Sequence, residues 1–557
     1  MKRPAATILF AVSLFLSIAV RAQADSTQLK KIDSLFSAWN APNHPGGAVG
    51  VMKDGKTIFS RAYGLASLEY LAPNSTGTVF NTGSVSKQFT AMGIVRLEDQ
   101  GKLSFDDEIH AFIPDFPDFE HPITIRHLLH HTSGLRSLHA LFALGGWRGD
   151  DSRTNADLNR IILKQRDLNF QPGAEYLYCN TGYMLMVNII EKVTGEGFTD
   201  WMRKNIFEEL GMNHTYVEDV YSRVVPNNAT SYYGRNEFER AVEYWGYVGS
   251  GNMHSTTADL LKWLSNFENP KEGWESSFRK LQTLDPLNDG TPNNYAFGVV
   301  VDQHLGKNRI QHGGAIGGFR AFIAAYPEQR VHIAVLTNFS AGNPGGKANQ
   351  IAGILFGGVP ENGDHPEPTT TFPMAAEELT RFEGAFWNET QKYFRKIYLK
   401  NDTLRYWRSE DNESPLLPQG KNSFAMLGVG GGLTVSFEGV GENRNMVVAS
   451  GDEAPETFGQ VKITEANTAE QGQYSGAYYS PEVETTYTVS AEEDQLQMYH
   501  SRHGVIPLKR LFRDVYSGEW PIGTAEFQRD GEGRISGVLI SNGRVRNAWF
   551  GRDQDSR

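Results

Sequence analysis

Residues Glu383-Gly384-Ala385-Phe386 return as Ser475-Gly476-Ala477-Tyr478, 92 positions later. The same offset relates Leu404 to Leu496, Pro415-Leu416 to Pro507-Leu508 and Phe424 to Tyr516. Four matches at one register mark two copies of one structural unit. Around them the chain reads as short alternating runs divided by turn residues, a β pattern. Two small all-β barrel or sandwich domains are therefore expected, over residues 374–464 and 470–557. The Pro-rich, polar stretch 358–373 before them reads as a linker.

The preceding part of this 557-residue chain has a different grain. Leu29, Ile32, Phe36 and Trp39 recur at helical spacing. Gly47 to Met52 and Thr57 to Tyr63 flank Asp54-Gly55, a pair suited to a type I′ hairpin turn. A helix is expected from Ser84 to a stop at Gly101, apolar at Val85, Phe89, Met92 and Val95. From about Asp106 to Leu264 the chain reads as mostly helical, with Tyr183 to Thr194 a clear example. Strands return at Ala296 to Val301, Phe319 to Tyr326 and Val331 to Thr337. Early strands, a helical middle and late strands predict an α/β domain over 25–357, a sheet covered by helices with a helical region inserted.

The first residues read as a secretory signal: Lys2 and Arg3, an apolar run from Ile8 to Val20, and small residues at Ala22-Gln23-Ala24. The run is too short for a membrane span. Residues 1–24 carry three basic and no acidic side chains, so their removal takes the formal charge from −12 to −15. With no basic cluster, nucleic acid is excluded as a partner. An exported, periplasmic protein without a stable membrane anchor is expected. Cys179 is the single cysteine, which excludes an intramolecular disulfide and a thiolate metal cluster and points to a small buried hydrophobe.

Chemistry concentrates in three places. Ser84 and Lys87, three residues apart, share a helix face. A serine in the first turn feels the positive end of the helix dipole, and a desolvated lysine beside it can accept a proton. A helix cap is the ordinary alternative for such a serine. Tyr178-Cys179-Asn180 supplies a hydroxyl able to relay a proton and an amide that both donates and accepts. His312-Gly313-Gly314-Ala315 stands just before a strand; its glycines admit a substrate backbone, and an N–H there can face an oxyanion. No serine sits in a G-x-S-x-G elbow. His130-His131 lacks the companions of a zinc site, and Asp530-Gly531-Glu532-Gly533 reads as a hairpin turn.

Taken in order, these elements closely resemble the serine β-lactamase and penicillin-binding-protein superfamily, in its class C-like branch, over residues 30–357. The stretches Ile125 to Leu135 and Ser255 to Leu260 belong to the same resemblance. It implies a β-lactamase/transpeptidase-like antiparallel sheet flanked by helices. It also implies an acylated Ser84, Lys87 and Tyr178 as a coupled acid–base pair, Asn180 on the acyl-side amide, and an oxyanion hole from the Ser84 and Ala315 N–H groups. No metal or cofactor is implied, and the substrate is a small molecule or short peptide. His312 and Gly313 replace the lysine and threonine of a K-T-G triad. Binding of a free carboxylate should weaken accordingly, which favours ester, amide or N-terminal D-amino-acid substrates. Relatives with a His-x-Gly triad and two trailing barrels resemble bacterial D-aminopeptidases. The alternatives are D,D-carboxypeptidase or β-lactamase activity, or a penicillin-binding-type receptor with slow or no turnover.

Overall fold

A computed structural model describes residues 26–357, 371–409, 412–429, 433–439, 441–450, 455–463, 468–492 and 495–553. The expected signal, 1–24, and most of the expected linker, 358–370, lie outside the described residues. The described residues form two compact units: 26–102 with 190–283 and 294–357, and 103–189 with 284–293 and the described part of 371–553.

The first unit is built on a six-stranded antiparallel sheet. Its strands are β1 (Gly47–Lys53), β2 (Lys56–Tyr63), β3 (Val300–His304), β4 (Lys307–Ile316), β5 (Phe319–Tyr326) and β6 (Val331–Thr337). They lie in the order β3-β4-β5-β6-β1-β2. Asp54 and Gly55 take φ of 51° and 72°, as the I′ turn requires. One sheet face buries Val49, Val51, Ile333 and Val335 against Ile32, Phe36 and Trp39 from the N-terminal segment. That segment is a helix, α1 (residues 26–34), followed by a 3-10 turn at Ser37–Asn40. The central helix α2 (Ser86–Asp99) starts two residues after the expected Ser84 and buries Phe89, Met92 and Val95, with Val85 buried at its cap position. Helix α4 (Thr257–Ser265) packs on β1 and β6, and α5 (Pro344–Phe356) adds Ile351 and Ala352 to the first face. Helix α3 (Asn180–Thr194) begins three residues before the expected Tyr183.

Two expectations need correction. The helical middle ends near residue 207; beyond it come short strands such as Tyr232–Gly234 and Met253–Ser255. Positive φ at Asn227, Gly234, Gly249 and Asn252 interrupts any helix there. The strand expected at Ala296 to Val301 runs Val300–His304, because Ala296 N–H donates to the Val299 carbonyl at 2.8 Å in a tight turn. His312-Gly313-Gly314-Ala315, just before the expected strand at Phe319, lies inside a further strand, β4, where Gly314 packs closely against Thr82.

The second unit joins the helical segment to two closed eight-stranded barrels, Gly384 to Val461 and Gly476 to Arg552. The repeat maps onto equivalent places. Pro415 pairs with Arg405 in one barrel as Pro507 pairs with Gln497 in the other. Leu404 and Leu496 both point into their barrel cores. Asp530 to Gly533 is a hairpin turn, with the Asp530 carboxylate accepting from the Glu532 and Arg534 N–H groups. The second barrel buries an ion pair with the helical segment, Arg136 to Glu482 at 2.6 Å, and Tyr487 donates to the Leu144 carbonyl at 3.1 Å. No helix among the described residues is long and apolar enough to cross a membrane.

Candidate active site

Ser84 sits in a 3-10 turn, Gly83–Val85, that runs into α2. It does not cap that helix: Val85 occupies the cap position, and Ser86 ties the turn by donating to the Gly83 carbonyl at 2.6 Å. Lys87 is fully buried, with 0% of its surface exposed. Its Nζ donates to Ser84 Oγ at 3.2 Å and to the Ser250 carbonyl at 2.7 Å. A lysine held this way faces the serine oxygen with a fixed geometry, since the carbonyl uses a second proton of the ammonium.

Strand β4 lies directly against the Ser84 turn. A Cβ at Gly314 would stand 1.9 Å from the Thr82 carbonyl oxygen, and one at Gly83, where φ is +54°, would stand 2.7 Å from Ala315 N. Only bare backbone permits this approach. It brings Gly313, Gly314 and Ala315 beside Ser84.

His312, two residues before Gly314, is buried in the same unit. Its Nδ1–H donates to the Gly313 carbonyl at 2.5 Å, which leaves Nε2 to accept from the Tyr295 hydroxyl at 2.9 Å. Burial, then the nearby Lys87 charge, pushes the imidazole down to about 4. His312 is therefore neutral at pH 7 and offers no cation to a carboxylate. At the β4–β5 turn, burial pushes the Glu243 carboxyl up to about 7, and the Ser231 hydroxyl bonds to it.

Tyr178, Cys179 and Asn180 belong to the second unit. Asn180 N–H donates to Ser137 Oγ at 3.4 Å, and Thr181 Oγ1 donates to the Arg136 carbonyl at 2.7 Å. Cys179 Sγ donates to the Leu135 carbonyl at 3.2 Å, and burial pushes its thiol up, which makes it a packing residue. His131, at φ +60°, accepts from Cys179 N–H at 3.1 Å, and its ring lies 4.3 Å from that of Tyr178. His130 bonds to Asp285 at 3.1 Å; that bond, with Arg126, holds the Asp285 carboxyl down at about 2. His131 thus braces the segment that carries Tyr178 and Asn180. The Arg544 guanidinium lies 5.0 Å from the centre of the Tyr178 ring.

Four of these residues escaped the sequence reading: Ser250, Tyr295, His131 as a brace, and Arg544. Ser250 and Arg544 meet their partners far along the chain, and no local pattern marks them. The His130-His131 doublet was visible, but the bond to Cys179 was not.

A beta-lactamase family profile matches residues 32–356. The D-aminopeptidase of Gluconobacter oxydans (strain 621H) is 26% identical over 532 residues, 91% of this chain and 95% of that protein. Penicillin-binding protein 4* of Bacillus subtilis (strain 168) is 30% identical over 330 residues, 56% of this chain and 71% of that protein. The octameric penicillin-binding protein homologue from Pyrococcus abyssi superposes with a TM-score of 0.54 at 25% identity, over 77% of this chain and 99% of that one. The matched segment contains Ser84, the buried Lys87 bonded to it, and the glycine strand packed beside it. By sequence, fold and the Ser84–Lys87 pair, this chain belongs to the beta-lactamase family and is a serine hydrolase.

Proposed function

We propose that this chain is an exported D-aminopeptidase-type hydrolase that works through an acyl-enzyme on Ser84. The observation that carries the reading is the buried Lys87 Nζ, 3.2 Å from Ser84 Oγ, beside a neutral His312. Ser84 Oγ attacks the substrate carbonyl and its proton passes to the Lys87–Tyr178 pair. The C–N bond then breaks and that proton leaves on the departing amine. Water attacks the resulting ester, regenerates Ser84 and releases the acid. Ser84 and Ala315 N–H groups hold the oxyanion, and Asn180 holds the acyl-side polar group. The neutral His312 supports an acyl group with a free ammonium over one tuned to a K-T-G lysine. Similarity to the Gluconobacter oxydans D-aminopeptidase covers 91% of this chain, far more than residues 32–356, which supports this reading over a carboxypeptidase one.

The test is hydrolysis by the protein lacking residues 1–24, beside its Ser84→Ala variant. The panel holds D-alanine p-nitroanilide, a p-nitrophenyl ester, nitrocefin and an N-acylated D-Ala-D-Ala peptide. The anilide or ester should be turned over fastest, and Ser84→Ala should lose at least about 1,000-fold with an unchanged circular dichroism spectrum. Preference for nitrocefin or the acylated peptide would replace the reading with the lactamase or carboxypeptidase one. Stoichiometric acylation without turnover would replace it with a receptor. Recovery of a secreted product beginning at Asp25 is the expected sign of export.

A further inference from the structure

The second barrel sends the loop between strands Ile535–Ser541 and Ala548–Arg552 into the helical segment of its own unit. That loop is pinned along its length. The Arg544 carbonyl accepts from Ser137 N–H at 3.1 Å and from Asn169 Nδ2 at 3.2 Å. Arg546 N–H donates to Asn169 Oδ1 at 2.8 Å. The Arg546 carbonyl accepts from Arg136 Nη2 at 3.0 Å, and Arg136 is itself locked by Glu482. Ser137 joins both sides: its N–H bonds the Arg544 carbonyl, and its Oγ accepts from Asn180 N–H. Segment 135–137 therefore ties the loop to the Tyr178–Asn180 segment.

The two loop arginines end differently. Arg546 is buried and neutralised by Glu175 at 3.0 Å, with Gln391 adding a bond. Arg544 is exposed, and its guanidinium has no carboxylate within ion-pair distance among the described residues. It rests on the Tyr178 ring, a position that a cation–π contact favours. Glu175, three residues before Tyr178, is paired with Arg546. The result is a pre-positioned, uncompensated cation beside a residue read as a proton donor to the leaving group.

We infer that Arg544 binds a carboxylate on the leaving-group side of the substrate, so that peptides with a free C-terminal carboxylate are preferred to capped ones. The inference rests on the proposed function for the side of the substrate involved. A D-aminoacyl substrate carries an ammonium on its acyl half, which a guanidinium repels. The cation therefore serves the other half. When Tyr178 hands a proton to the departing nitrogen of a dipeptide, the carboxylate of the leaving residue is two bonds from that nitrogen. A planar guanidinium can then grip it through two parallel hydrogen bonds. Carboxylate binding, which neutral His312 cannot supply, comes from the second barrel instead.

Two matched substrates test this: D-alanylglycine and D-alanylglycinamide, with kcat and KM measured separately. Wild type should favour the free acid at least tenfold in kcat/KM. In Arg544→Ala that ratio should fall to about one, through a rise in KM for the acid. In Arg544→Glu it should invert. An arginine that acts only on Tyr178 would lower kcat for both substrates alike, and that result would overturn the inference. So would a wild-type ratio near one. Calorimetry on Ser84→Ala and on Ser84→Ala/Arg544→Ala reads the same preference without turnover. Arg544-dependent binding of the acid with no hydrolysis by wild type would sink the proposed function and keep the carboxylate site. Equal binding of both compounds by Ser84→Ala would sink the site itself.

Discussion

At Gly314 one methyl group decides whether the Ser84 turn can form. The nearest atom to an added Cβ is a backbone oxygen at 1.9 Å, which no side-chain rotation can move aside. Gly314→Ala should cost stability of about 1–3 kcal/mol and displace the strand from Ser84. The expected result is a lowered melting temperature together with a kcat loss larger than that loss of stability accounts for. His312 makes a prediction about pH. Its folded pKa of about 4 lies below the ordinary value of 6.5. Between these values the unfolded chain binds a proton that the folded chain refuses, so stability falls as pH drops from 6.5 towards 4. Glu243 opposes it. Held at about 7 against an ordinary 4.5, it removes stability as pH rises through that window. The wild-type profile therefore mixes these two with other histidines that burial holds below their ordinary range, among them His127, His332 and His500. His312→Asn removes one, and its urea midpoint should fall less than that of wild type between about pH 7 and pH 5.

Elements show where sequence patterns were sufficient and where they were not. Strands β5 and β6 and the β1–β2 hairpin were legible from alternation and a two-residue turn. Strand β4 was hidden by Gly313 and Gly314, which carry no β preference; Gly314 owes its place to the opposing turn. The link from helical segment to second barrel also depends on one buried pair, Arg136 and Glu482, with side chains 0% and 4% exposed. Glu482→Ala leaves a guanidinium buried without its partner and should destabilise by about 3–5 kcal/mol in urea unfolding. The double change Arg136→Met/Glu482→Leu should recover most of that loss, because two apolar side chains need no partner. No recovery would mean that the Arg136 bonds to the loop carbonyls matter more than the ion pair.

For the whole molecule, the compact units do not follow chain order. Segment 103–189, with Tyr178 and Asn180, groups with the barrels, not with the sheet that precedes it. Ending the chain at Gly357 would therefore strip away Glu482, which neutralises Arg136, and Arg546, which neutralises Glu175. A chain of residues 26–357 is expected to melt lower than the full protein and to be cut by protease first within 103–189. Equal melting temperatures would show that the barrels are accessory to the fold.

Repeats, hairpins, the α2 helix and the Ser84–Lys87 pair could be read directly, because each is written in residues a few positions apart or in a regular offset. Family membership followed from the order of such pieces. What surrounds the reacting groups could not be read that way. Lys87 meets the Ser250 carbonyl across 163 positions, and Arg136 meets Glu482 across 346. His312 becomes neutral only once the sheet buries it beside Lys87. Arg544 reaches Tyr178 only because a closed barrel fixes where its loop must emerge. Local pattern records backbone geometry and hydrophobic period; burial, charge balance and long-range contact are properties of the packed chain.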